Sequence, residues 1–261
     1  MMKISFELNP PRIIQDRYFD SNLLNQALQK FINRTSNIID LVDGIHLTDS
    51  VLGVPRISSV TAARYIKRLT RNSIDISCSV RTRDRNFISI SQLVADAILI
   101  GVKSLLILMG DEPVQGSSDY GLIPSTALSL LYSEKYNRAI DFHLTIPSKV
   151  DSISSIQQKI DARPNAFVTQ SVQSIYDLGK IADRIKPYNI PLVACIMVPS
   201  KQNQLSAEMI GLDWKEYEGN PIDFIREAAN IAAGGVLLTS PNSLKSAIDL
   251  LQTLKNNSNR E

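Results

Sequence analysis

The feature that most constrains this chain is an alternation that runs from end to end, short strand-like apolar runs separated by stretches of helical periodicity. Eight runs have strand character: KISFELN, IIDLVDGIHLT, SIDISCSV, SLLILMGD, DFHLTI, AFVTQS, PLVACIMV and GVLLTSP. Between them, Leu23, Leu24, Ala27, Leu28, Phe31 and Ile32 share one helical stripe, as do Leu93, Val94, Ala97 and Ile98. Repeated βα units of this kind build a parallel sheet. They admit a closed barrel or an open doubly wound sheet. The count of eight favours the barrel, and LNPPR stands after the first strand where an open nucleotide-binding sheet would carry a glycine loop. The expected fold is a single (β/α)8 TIM barrel over residues 1–261, a length that fits one such domain. Ser21 and Ser243 are the expected N-caps and Gly101 an expected left-handed C-cap. Residues 202–220, with Trp214, read as a long loop or broken helix and a candidate lid, and the polar tail from Lys255 as frayed.

Composition narrows the partners. A net charge of +2 without a Lys/Arg block argues against nucleic acid and anionic membranes. No apolar run approaches the roughly 20 residues of a membrane span, and the first residues show no apolar signal core. A cytoplasmic protein that binds a small molecule is expected, in a homo-oligomer. Cys78 and Cys195 fall in buried-strand patterns, and with only His46 and His143 beside them no metal site is expected. His143 itself reads as a strand residue.

Parity then says which polar side chains look inward. In the first strand Ile4, Phe6 and Leu8 share one face, which turns Glu7 to the lumen. In AFVTQS, Gln170 groups with Ala166 and Val168, so it too points inward. Asp111 ends the apolar fourth strand, and Gly110 before it leaves room for a ligand to approach the backbone. Active sites of this fold gather at the carboxyl ends of the strands. A site around Glu7, Asp111 and Gln170 is therefore expected.

These residues also resemble a family. SFELNPPR at 5–12, HLTD at 46–49 with GVPRISS, RDRN at 83–86, LMGDEP at 108–113 and KIDA at 159–162 with VTQ ending at 170 occur in the order found in methylenetetrahydrofolate reductases. The resemblance implies a flavoprotein barrel that reduces 5,10-methylenetetrahydrofolate, or a related tetrahydropterin, with FAD charged by NADH or NADPH. By that resemblance Glu7 is the general acid, Asp111 a catalytic carboxylate near flavin and pterin, and Gln170 a substrate-binding amide. Thr48, Gly110, Asp111 and Lys159 match flavin-contacting positions. The chain departs from the family at SVRT (79–82), Met109 and IPSK (146–149). A flavin-free NAD(P)H-dependent reductase, and a non-catalytic barrel that holds a pterin or supports a partner reductase subunit, are the alternatives.

Overall fold

The strand-like runs form eight strands in the computed structural model, which describes residues 2–13, 19–71, 73–114, 121–150 and 153–258. They are β1 (Ile4–Leu8), β2 (Gly44–Leu47), β3 (Asp75–Arg81), β4 (Ser104–Leu108), β5 (Asp141–Ile146), β6 (Ala166–Thr169), β7 (Leu192–Met197) and β8 (Val236–Thr239). They follow one another in chain order around a closed parallel barrel, so the fold is a (β/α)8 barrel and the open sheet is excluded. The helices are α1 (Ser21–Ser36), α2 (Ser59–Thr70), α3 (Phe87–Ile100), α4 (Pro124–Ser133), α5 (Gln157–Asp161), α6 (Ile175–Ile185), α7 (Gln204–Met209), α8 (Pro221–Ile231) and α9 (Leu244–Ser258). None of the described helices is long and apolar enough to cross a membrane.

Side-chain alternation is visible on β1 and β3, while Gln170, expected to face inward, lies just past β6 with an exposed side chain. Ile4, Phe6 and Leu8 are buried while Ser5 and Glu7 between them are only partly covered. On β3, Cys78 lies against α2, where its thiol meets the Ser59 carbonyl, so Ser77, Ser79 and Arg81 take the inner face. Gly101 has φ +77 and its N–H caps α3 through Ala97 and Ile98, and Ser243 accepts from Ser246 at the start of α9. The cap of α1 is Asp20, not Ser21, because its carboxylate reaches the N–H groups of Asn22 and Leu23.

Two boundaries differ from expectation for local reasons. IIDLVDGIHLT is not one strand: residues 39–41 make a 3-10 turn, and Asp43 clamps the start of β1, accepting from Ile4 N–H and donating its own N–H to Ile4 O, both at 2.8 Å. The tail stays helical to Ser258; residues 259–261 lie outside the described residues. The stretch 202–220 is a broken helix, α7 followed by turns. Trp214 and Tyr217 are buried, and Tyr217 stacks on Phe224 and donates to Met197 O at 3.1 Å, which pins the stretch to the end of β7.

The chain divides into two compact units. The first comprises Met1–Glu7, Ile38–Asp43 and Thr145–Glu261; the second comprises Leu8–Asn37 and Gly44–Leu144.

Candidate active site

Within the first unit the chemistry centres on Glu7. Its Oε1 accepts from the Thr239 hydroxyl at 2.8 Å, the register of β1 on β8 having placed the two side by side. Burial pushes the Glu7 carboxyl above its ordinary value of 4.5, and the Thr239 hydrogen bond opposes that rise without cancelling it. Cys195, buried on the inner face of β7, lies within the field of Glu7. Its thiol is pushed up first by burial and then by that charge, so it is an inert neighbour rather than a nucleophile.

The path from Glu7 continues through Cys195. The Cys195 carbonyl accepts from Val172 N–H at 2.8 Å, and the Ser171 side chain slightly offsets the rise of the Cys195 thiol. Gln170, immediately before Ser171, has an exposed side chain and donates its N–H to Ile146 O at 2.9 Å. One residue earlier on β5, Thr145 O accepts from Lys159 Nζ at 2.8 Å. Partial burial lowers the Lys159 pKa, because an ammonium loses hydration there without gaining a carboxylate. Glu7, Gln170 and Lys159 thus belong to one unit: Glu7 stands on β1, Gln170 directly follows β6, and the Lys159 ammonium meets the backbone near the end of β5. The carboxyl is shifted upward and the ammonium downward, in both cases chiefly by loss of hydration.

The other expected residues, Thr48, Gly110 and Asp111, lie in the second unit, and each is engaged with the protein itself. Thr48 donates to Asn9 Oδ1 at 2.6 Å. Asp111 is exposed, its Oδ2 taking Leu52 N–H and its carbonyl taking Arg81 Nη2, both at 2.6 Å. Gly110, at φ +84, does permit a close approach, but by Arg81: a Cβ there would stand 3.0 Å from Arg81 Cβ and 3.2 Å from Nε.

Arg81 is the residue that sequence reasoning missed. Only 1% exposed, it also donates to Ser50 O and to Asp84 Oδ1, both at 3.1 Å. Beside it Arg85 pairs with buried Asp49, which accepts in turn from Arg81 N–H. This frame holds the loop after β2, where Ser50 and Leu52 adopt left-handed backbone at φ 47 and 58. Below it His46 bonds Ser77 Oγ at 2.7 Å and Ser79 Oγ at 2.9 Å. Burial, then the nearby charge of His143, lowers the His46 pKa to about 3, so it is a neutral packing residue. The available signal for Arg81 was its parity with Ser77 and Ser79.

No family model matches the chain, and no curated protein does. Among solved structures, an aldolase described as QR15 is similar at 9% identity and TM-score 0.56, over 100% of this chain and 97% of that one. The likeness is one of fold. A deoxyribose phosphate aldolase from Aeropyrum pernix, described as having a unique tetrameric structure, is similar at 10% identity and TM-score 0.56, over 97% of this chain and 89% of that one. The expectation of a methylenetetrahydrofolate reductase, an oxidoreductase with FAD and folate, is corrected by these findings: the structural neighbours are aldolases and no family match supports the reductase. The motifs that carried the resemblance have structural work in this barrel. Asn9 anchors Thr48, Pro10 O accepts from Arg56, and Gly110 and Asp111 seat Arg81 and Leu52.

Proposed function

We propose that the protein is a carbon–carbon lyase acting on a small carbonyl compound, with Glu7 as its acid–base group and Lys159 as the amine that engages the carbonyl. The observation that carries this reading is the Glu7 carboxyl of β1, held by one hydrogen bond from Thr239 and raised by burial above its ordinary value. Lys159 is the amine because none of the eight strands contains a lysine, while its own pKa is lowered and its Nζ sits at the end of β5. The aldolase neighbours support the reaction class as a likeness of fold.

The chemistry balances. The neutral Lys159 amine adds to the carbonyl carbon, Glu7 protonates the carbonyl oxygen, and water leaves to give an iminium. The iminium takes up the electron pair of the adjacent carbon–carbon bond as a base removes the β-hydroxyl proton; an aldehyde departs and an enamine remains. Protonation of the enamine and addition of water release the second product and restore the amine. In this reading the exposed Gln170 amide holds a substrate oxygen. A homo-oligomeric assembly is part of the proposal, and sedimentation of the purified chain measures it.

Borohydride treatment in the presence of acetaldehyde tests the reading. The expected result is one ethyl adduct, mapped to Lys159 and absent from Lys159→Met. No adduct, or an equal adduct in the variant, overturns it, as does a flavin absorption band in freshly purified protein.

A further inference from the structure

The segments that follow β1 and β2 meet in a short antiparallel pairing in the second unit, independent of the groups invoked for the lyase reaction. Arg12 pairs with Arg56 in an isolated bridge. It is flanked by Ile13 N–H to Pro55 O at 3.1 Å and Ile57 N–H to Pro11 O at 2.9 Å. Those flanking bonds make Arg12 and Arg56 a non-hydrogen-bonded pair, the closer of the two antiparallel types, with Cα atoms about 4.5 Å apart and side chains on the same face. Two like charges directly opposite one another destabilise a sheet pair. Their juxtaposition therefore calls for a compensating anion.

Arg56 is fixed in place. Its Nη1 donates to Pro10 O at 2.7 Å, while its Nε is buried and has no hydrogen-bond partner among the described residues. A buried, unmatched guanidinium donor is costly, and a ligand oxygen would satisfy it. Burial, then the Arg12 charge, lowers the Arg56 pKa to about 10, which leaves it positive at neutral pH. Arg12 is exposed, so an anion reaches the pair from solvent. Among the described residues no carboxylate is paired with either arginine.

We propose that Arg12 and Arg56 form a binding site for the phosphoryl group of a small phosphorylated compound. A phosphate dianion neutralises both guanidinium charges, and its several oxygens match two planar forks of donors; a single carboxylate would leave one positive charge uncompensated.

Calorimetric titration of the full chain with inorganic phosphate at low ionic strength tests the site, against chloride at matched ionic strength. Saturable one-to-one binding is expected, weakened about tenfold in R12Q and in R56Q and lost in the double variant, as for charge-assisted contacts. Absence of saturable phosphate binding by the parent protein overturns the proposal, and so does unchanged affinity in R12Q. Because Arg12 is exposed, R12Q decides the matter even where R56Q does not fold. The lyase reading is untouched by either result, since neither arginine takes part in it.

Discussion

The inner faces of the two units both carry buried ionisable groups, yet they use them in opposite ways. In the second unit Arg81 makes three side-chain hydrogen bonds and His46 bonds through both ring nitrogens. In the first unit the desolvated carboxyl of Glu7 has one side-chain bond, from Thr239, and that bond does not cancel the effect of burial. Burial alone therefore does not mark a reactive group. His46, bonded at both ring nitrogens, has its protonation shifted by burial as Glu7 does, so what sets Glu7 apart is that its carboxyl keeps hydrogen-bonding capacity the protein has not taken up.

The strongest way to break this contrast is to exchange the acid for its neutral isostere. Glu7→Gln keeps the shape and can still accept from Thr239, but it cannot deliver or take up a proton. A loss of lyase turnover of about 10²- to 10⁴-fold is expected, with a thermal midpoint close to that of the parent, since positioned acid–base groups contribute factors of this size. Steady-state turnover together with a melting curve makes the check. Retained turnover would place Glu7 with the locked groups of the other unit.

Arg81→Ala probes the opposite side. It removes a side chain that is 1% exposed and leaves the Ser50 and Asp111 carbonyls without their donor, beside a cavity next to Gly110. A destabilisation of about 3 kcal/mol is expected from the lost buried partners and the void. Denaturant unfolding measures it, and a change below about 1 kcal/mol, the usual scale of an exposed ion pair, would show that the frame is not held by this guanidinium.

The same contrast explains what could be read from the chain before its structure. The barrel was legible because strand parity and helical stripes depend only on neighbours in sequence: Ile4, Phe6 and Leu8 announce the buried side of β1 and so the direction of Glu7. The frame around Arg81 was not. Its partners Ser50 and Asp111 lie 31 and 30 residues away, and no local pattern says which loop a long side chain will cross. Gly110 shows the same limit. Its conformational freedom was readable, but the side chain that uses the space comes from β3. The Arg12–Arg56 pair, likewise, exists only once residues 11–13 and 55–57 lie side by side.

The finest test sets the pH dependence of one unit's group against that of the other. Glu7 has a raised folded pKa, so above its ordinary value of 4.5 the unfolded chain ionises first and binds fewer protons than the folded one. Its contribution is fully present below 4.5 and is lost as pH rises through the folded value. His46 runs the other way. Its pKa falls from 6.5 to about 3 on folding, so between those values the unfolded chain binds more protons, and the contribution present above 6.5 is lost as pH falls toward 3. From 4.5 to 6.5 the two slopes oppose each other in the parent protein. Relative to the parent, Glu7→Gln should gain stability as pH rises above 4.5, while His46→Gln should lose relative stability over the climb to 6.5. Unfolding free energies by denaturant titration across this range read both differences, and two flat difference curves would mean that neither group has its protonation set by the burial on which the comparison rests.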